Sequence, residues 1–281
     1  MSLVVRPMTV ADLEAADEIA VAAYGGPGRR SQLARYLALE PEGWMLALRD
    51  GTPVGLGGAT VYGPFAYIGL MAVHPLWQGQ GVAHAVLEHL LVWLQVRRCP
   101  IVRLDASAMG RPLYAKRGFV EDDTVVLFVQ DDARPPRVQG APAAPARAED
   151  FPTLVAFDAP IFGALRAHVL ASHLAEEAAN AWLTRDAAGA VTGYLVAQEQ
   201  TLGPWIARSR EEAEALLTAA LSRPGALERQ VLVPGANHAA PALLEQYGFK
   251  ATRTLSHMRL GGTSAPGDRA LIYGQTSFAL G

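Results

Sequence analysis

Apolar residues recur at helical spacing in five stretches, residues 9–23, 31–39, 80–97, 210–221 and 239–247. Shorter apolar or alternating runs fall between them. In the first half these are 4–6, 44–49, 53–62, 66–73, 101–105 and 124–130; in the second they are 181–185, 191–198, 230–233, 252–260 and 271–280. Their length and β-branched content predict strands. Helices and strands are interspersed in both halves, which predicts an α/β (α+β) fold with two mixed sheets flanked by helices.

One junction carries chemistry. The strand-like run 65–73 (FAYIGLMAV) enters His74-Pro75, then the glycine-bearing segment Gln78-Gly79-Gln80-Gly81, then the helix over 80–97. A helix N-terminus presents backbone N–H groups that have no partner inside the helix, together with a partial positive charge. Glycine lets a ligand approach the backbone closely. A strand, a glycine loop and a helix start therefore make an anion cradle. A P-loop is excluded, because no Lys-Ser/Thr follows the loop. A Rossmann fingerprint fails on spacing, because His84 stands where its third glycine would be.

Gln78-Gly79-Gln80-Gly81-Val82-Ala83 fits Q/R-x-x-G-x-G/A and resembles the acyl-CoA pyrophosphate loop of the GNAT superfamily of N-acetyltransferases. Val73-His74-Pro75 before the loop is usual there. A second landmark follows the 101–105 strand: Leu113-Tyr114-Ala115-Lys116-Arg117-Gly118-Phe119 is similar to the superfamily's L-Y-x-x-x-G-F. The resemblance covers residues 3–130. It implies two central strands that splay to admit a pantetheine arm, and acetyl-CoA as cosubstrate. Donor binding then falls to Gln78, Gly79, Gln80, Gly81, Val82 and Ala83 and to main-chain groups of Met71 and Val73. The Met71 N–H is the candidate for polarising the thioester carbonyl, and Tyr114 is the candidate general acid. Many members carry a Glu on the strand before the loop. Here that strand has no carboxylate and Tyr67 stands near its place, so the general base is unassigned within the first half.

The two halves echo each other. Arg6-Pro7 with Ala11-Asp12-Leu13 resembles Arg147 to Asp150. WMLALRDGTPVG from Trp44 resembles WLTRDAAGAVTG from Trp182, and LYAKRGF from Leu113 resembles LLEQYGF from Leu243. The last two offsets are each about 130–140 residues, which argues for a duplicated fold. A Pro/Ala-rich stretch, 131–145, reads as a linker. The expected organisation is a GNAT domain over 1–130, the linker, and a GNAT-like domain over 146–281. The second copy lacks the glycine loop: Glu211, Glu212 and Glu214 occupy the start of its helix, and Leu244 replaces the tyrosine. That half resembles the C-terminal domain of a group of bacterial two-domain GNAT proteins, and a degenerate copy is expected.

Composition narrows the partners. Hydrophobic residues make up 51% of 281 and charged residues 18%, enough to bury sizeable cores; net charge is −3 without a basic stripe, so nucleic acid is not an expected partner. No apolar run is long enough for a membrane span. The single cysteine, Cys99, allows no internal disulfide, and no leader is visible, so a cytoplasmic location is expected. The seven histidines show no metal-ligand spacing, and no metal is expected; His84 and His89 read as helix-surface residues. Arg29 and Arg30, in a second glycine-rich stretch, border the acceptor region by resemblance. Asn237 reads as a helix cap. The expected function is transfer of acetyl from acetyl-CoA to the amine of a small-molecule acceptor. The alternative is an acyl-CoA-binding or sensing protein without chemistry, its C-terminal domain an interaction module. The reading admits a homodimer. For the missing base, the chain end is the candidate. N-myristoyltransferases, also tandem folds of this type, place a terminal carboxylate in the active site, and Gly281 could do the same as a weak base of reference pKa ~3.3–3.7.

Overall fold

The computed structural model describes residues 2–131, 143–177, 180–222, 229–262 and 266–281. Residues 132–142, the body of the expected linker, lie outside the described set. The chain divides into two compact units. The first holds residues up to Leu104 with Leu260–Gly262 and Leu280; the second holds Asp105–Arg259, Thr263–Ala279 and Gly281.

In the first unit, β1 (Leu3–Pro7), β2 (Trp44–Arg49), β3 (Thr52–Val61) and β4 (Ala66–Val73) pair antiparallel in order, and β5 (Val102–Ala106) joins β4 in parallel. Helices α1 (Leu13–Tyr24), α2 (Arg30–Leu39) and α3 (Val82–Val96) accompany these strands. Helix α3 buries Val82, Val86, Leu87, Leu90 and Leu94, one stripe at helical spacing. Each such side chain contributes about 1.5–3 kcal/mol on burial, so the start of α3 is held firmly where the loop delivers it. The Tyr62 hydroxyl donates to the Leu280 carbonyl at 2.8 Å.

The second unit opens with α4 (Arg111–Ala115) and β6 (Val120–Gln130), and continues through β7 (Ala144–Pro145), α5 (Phe151–Phe162), α6 (Ala167–Glu177), β8 (Ala181–Arg185), β9 (Val191–Ala197), β10 (Leu202–Ala207), α7 (Arg210–Leu221), β11 (Gln230–Pro234), α8 (Ala240–Gln246), β12 (Phe249–Leu260) and β13 (Ile272–Gly274). Five strands form one sheet in the order β13-β10-β9-β8-β7. Strand β6 belongs to the first repeat by sequence, yet second-half strands flank it on both sides. Val126 faces Val233 of β11 and Thr254 of β12. Compactness and sequence repeat therefore divide the chain at different places.

Several elements differ from the sequence expectation. The run 271–280 is not one strand. Only Ile272–Gly274 pairs, with β10, and the chain then turns so that Thr276 N–H donates to the Gly281 oxygen at 2.8 Å. The reason is polar: Gln198 Nε2 holds the Thr276 carbonyl at 2.8 Å, and Gln275 Nε2 holds Asp105, which draws the segment out of the sheet. Ala144–Pro145, inside the expected linker, pairs with Leu183 and Trp182 of β8. Helices α5 and α6 and strand β10 were not expected.

Candidate active site

Strand β4 changes character halfway. Its parallel ladder with β5 runs from Ala66↔Val102 to Ile68↔Leu104, while β4 continues to Val73. Past Ile68, among the described residues, no strand of this unit pairs with that edge. On the other edge the register with β3 slips: Gly69 faces Gly58 and Ala72 faces Leu56, so Leu70 and Met71 together oppose Gly57. This is a bulge, and Leu70 carries the positive φ of 53° that such a turn of the backbone needs. Gly57 stands opposite it, where a Cβ would lie 2.2 Å from Met71 Sδ and would push that side chain aside. The bulge re-aims the Met71 peptide and leaves main-chain groups of residues 69–73 along an open edge.

Tyr24, the last residue of α1, reaches this edge: its hydroxyl donates to the Met71 carbonyl at 2.6 Å. The guanidinium of Arg29 lies 5.8 Å from the centroid of the Tyr24 ring. Arg29 also closes its own loop, with its backbone N–H on Asp17 at 2.5 Å and Nη2 on the Gly25 carbonyl at 2.9 Å.

The loop after β4 is built to expose its backbone. Pro75–Trp77 forms a short 3-10 turn, capped by His74 Nδ1, which accepts from Leu76 N–H at 3.3 Å. Gln78 Nε2 donates to the Val73 carbonyl at 3.1 Å, and Gln80 Nε2 donates to the Leu76 carbonyl at 3.0 Å. Both glutamine side chains are thus stitches that fix the loop. Gly79 and Gly81 have φ of 73° and 82°, a left-handed backbone that disfavours any side chain, and the space where a Cβ would go is open at both. Gly81 caps α3 without any side-chain hydrogen bond. The helix's own ladder starts with Ala85 N–H to the Gly81 carbonyl at 3.0 Å, so the amides of Val82 and Ala83 precede it. Met71, Val73 and Gln78 to Ala83 are brought together on one continuous strand, loop and helix start.

The corresponding helix of the second half is closed. Ser209 Oγ accepts from Glu212 N–H at 3.2 Å and Glu212 Oε2 accepts from Ser209 N–H at 3.0 Å, a complete capping box at the start of α7. The box takes up the Glu212 N–H, and Glu211 and Glu212 set two carboxylates in the first turn of α7, where α3 has no acidic residue.

A model described as the acetyltransferase (GNAT) family matches residues 13–119, and one described as an acetyltransferase (GNAT) domain matches residues 154–274. The chain belongs to the GNAT acetyltransferase family. It is an acyltransferase with two GNAT domains in tandem. The crystal structure of a putative acetyltransferase from Pyrococcus horikoshii is similar over 99% of this chain and 96% of that one, with TM-score 0.86 and 28% identity. A GCN5-related N-acetyltransferase from Sphaerobacter thermophilus shares the fold over 94% of this chain and 96% of its own, with TM-score 0.71 and 18% identity. An acetyltransferase of Yersinia pestis (strain Pestoides F) is 34% identical over 101 residues, 34% of this chain and 70% of that protein. GNAT acetyltransferases use acetyl-CoA as cosubstrate.

Tyr114 and Gly281 fall in the second unit. Tyr114 sits on α4, 6% exposed, with its ring edge-on to Phe119 at 5.8 Å between centroids. Pro112 opens the short helix, and Gly118 after it takes φ 84°. The Gly281 oxygen accepts from Thr276 N–H at 2.8 Å and lies 3.5 Å from Arg166 Nη1. His84 and His89 are exposed on α3, and Asn237 is a cap: its Oδ1 accepts from the N–H groups of Ala239 and Ala240 at 3.0 and 2.9 Å. Among the described residues no cluster of three or more His, Cys, Asp or Glu side chains is placed to hold a metal, and no helix is long and apolar enough to cross a membrane.

Two groupings went unseen in the sequence. Tyr24 reaches the bulge from 47 residues away. In the second unit, buried Asp105 accepts from Gln275 Nε2 at 2.9 Å and pairs with His257 Nδ1 at 2.7 Å, across 170 and 152 residues. Neither has a local signal. The glycines of β3 were the one available hint of the bulge, since glycine inside a strand marks a close backbone approach.

Proposed function

We propose that the chain transfers acetyl from acetyl-CoA to the amine of a small-molecule acceptor, using the first GNAT domain alone for the donor. The observation that carries this reading is the contrast between the two helix starts: α3 begins at an uncapped left-handed glycine beside an open, bulged strand edge, while α7 caps itself. Backbone amides of Gly79 to Ala83 would hold the pyrophosphate, and main-chain groups of Met71 and Val73 the pantetheine arm. The Tyr24 hydroxyl already sits on the Met71 carbonyl, which keeps a second lone pair for a pantetheine amide. The Met71 N–H would polarise the thioester carbonyl, and Tyr114 would protonate the departing thiolate.

The donor site is tested at Gly81. Gly81→Glu should abolish CoA binding, because it adds a negative charge at the helix start and strains a φ of 82°. Calorimetry should find one CoA site per chain in the natural protein and none in the variant. Two equivalent sites, or undiminished binding, would overturn the assignment. The second reading, binding without chemistry, draws on the absence of any carboxylate from β4 (AYIGLMAV). Thiol release from acetyl-CoA with a panel of amines separates the two.

A further inference from the structure

We propose that Arg49 is the cation of the donor site, pairing with the phosphates of coenzyme A from the end of β2; the inference rests on the donor reading above. A coenzyme A donor brings a pyrophosphate and a ribose phosphate, and backbone amides offset only part of that charge. The loop brings no cation of its own. The sequence contains no Lys or Arg between Arg49 and Arg97. The first position of the loop motif, which tolerates arginine, is Gln78, and its amide is spent on the Val73 carbonyl.

Arg49 stands at the end of β2 and reaches over to the loop. Its Nη2 donates to the Gln80 carbonyl at 3.3 Å, a long bond, and its guanidinium lies 5.6 Å from the centroid of the Trp77 ring. These contacts place a positive charge beside the two glycines and leave it poorly matched. The carboxylate next to it in sequence is engaged elsewhere: Asp50 Oδ1 accepts from Ser2 N–H at 2.8 Å. Among the described residues no carboxylate pairs with Arg49, and its Nε is buried without a hydrogen-bond partner. A guanidinium is a planar fork of donors matched to phosphate oxygens. Trp77 supplies a face for that plane to rest on. The same carbonyl that Arg49 touches belongs to the loop whose amides take the phosphate, so one loop position serves both groups. Arg49 is thus a donor-binding residue that the loop motif does not contain.

The test is calorimetry with CoA and with dephospho-CoA on the natural protein, Arg49→Met and Arg49→Lys, at two salt concentrations, with melting temperatures alongside. Arg49→Met should bind CoA about tenfold more weakly, with a smaller dependence on salt. Arg49→Lys should recover part of the loss, and all three proteins should melt within a few degrees of one another. A penalty that persists with dephospho-CoA assigns the pairing to the pyrophosphate; one that vanishes assigns it to the ribose phosphate. Equal CoA affinity in Arg49→Met overturns the inference. So does a loss that is insensitive to salt and not relieved by Lys, which would mark Arg49 as a prop for the loop. A natural protein that binds no CoA overturns the donor reading itself, a result distinct from either.

Discussion

Arg166→Met will destabilise the protein by about 3–5 kcal/mol, the range for breaking a buried ion pair from one side. Arg166 and Asp158 are 2% and 1% exposed at their side chains. The guanidinium grips both carboxylate oxygens, Nη2 to Oδ1 at 2.7 Å and Nε to Oδ2 at 2.9 Å, and extends Nη1 to Thr276 Oγ1 at 2.8 Å. Its plane rests on Phe162, 3.8 Å from the ring centroid. Tyr194 donates to Asp158 Oδ1 at 2.5 Å; its burial, and then the Asp158 charge, push the phenol well above its ordinary pKa, so it stays a donor. Removing Arg166 leaves a carboxylate in the core whose remaining hydrogen-bond partner, among the described residues, is that phenol, and frees the turn at Thr276. Denaturant unfolding should show the loss as a lower midpoint with an unchanged slope. Replacing the pair together, Arg166→Met with Asp158→Leu, should recover part of it, because the stranded charge is gone. A single variant within about 1 kcal/mol of the natural protein would mean that the site relaxes or hydrates and that the network does not pin the turn.

This network is also where the sequence is least legible. Its members lie at positions 158, 166, 194 and 276, and only the first two are near neighbours in the chain. The helix that carries Asp158 was missed because FPTLVAFDAPIF is apolar nearly all round and contains Pro160, so neither a stripe nor an uninterrupted run marks it. By contrast, the loop at Gln78 to Ala83 could be read directly, because backbone with φ above zero selects glycine at fixed positions and the helix stripe after it is strong. The extent of β6 was half legible. Its apolar end, 124–130, reads as a strand, but Val120 to Asp123 reads as polar loop and becomes strand through pairing with β12. Long-range pairing of that kind leaves no local trace. The open edge of β4 has the same status: FAYIGLMAV predicts a strand, and nothing in it says that its partner β5 stops alongside after Ile68.

The second large effect is expected at Tyr114, on rate. Tyr114→Phe should lower kcat by about 10²-fold or more, the scale of a lost general acid, while the Kd for acetyl-CoA stays within a few-fold. Thiolate departure develops negative charge on sulfur. A phenol of pKa ~10 donates to a thiolate whose conjugate acid has pKa ~8.5 only slightly against the gradient, so its value depends on close placement in the transition state. An interaction made only there appears in kcat and kcat/KM together, and not in ground-state binding. The packing around the ring makes the substitution clean. Tyr114 is held edge-on by Phe119, its Cε2 lies 3.4 Å from where a Cβ on Gly110 would be, and α4 is closed by Arg117 N–H on the Tyr114 carbonyl at 2.9 Å. A phenylalanine keeps that ring and those backbone bonds, so the melting temperature should hold to within a few degrees. A pH profile sharpens the result: if the phenol is the acid, the high-pH limb of kcat, set by its ionisation, should disappear in the variant. Should kcat stay unchanged, Tyr114 is a packing residue of the L-Y-x-x-x-G-F helix, and the proton reaches the thiolate from another donor or from water.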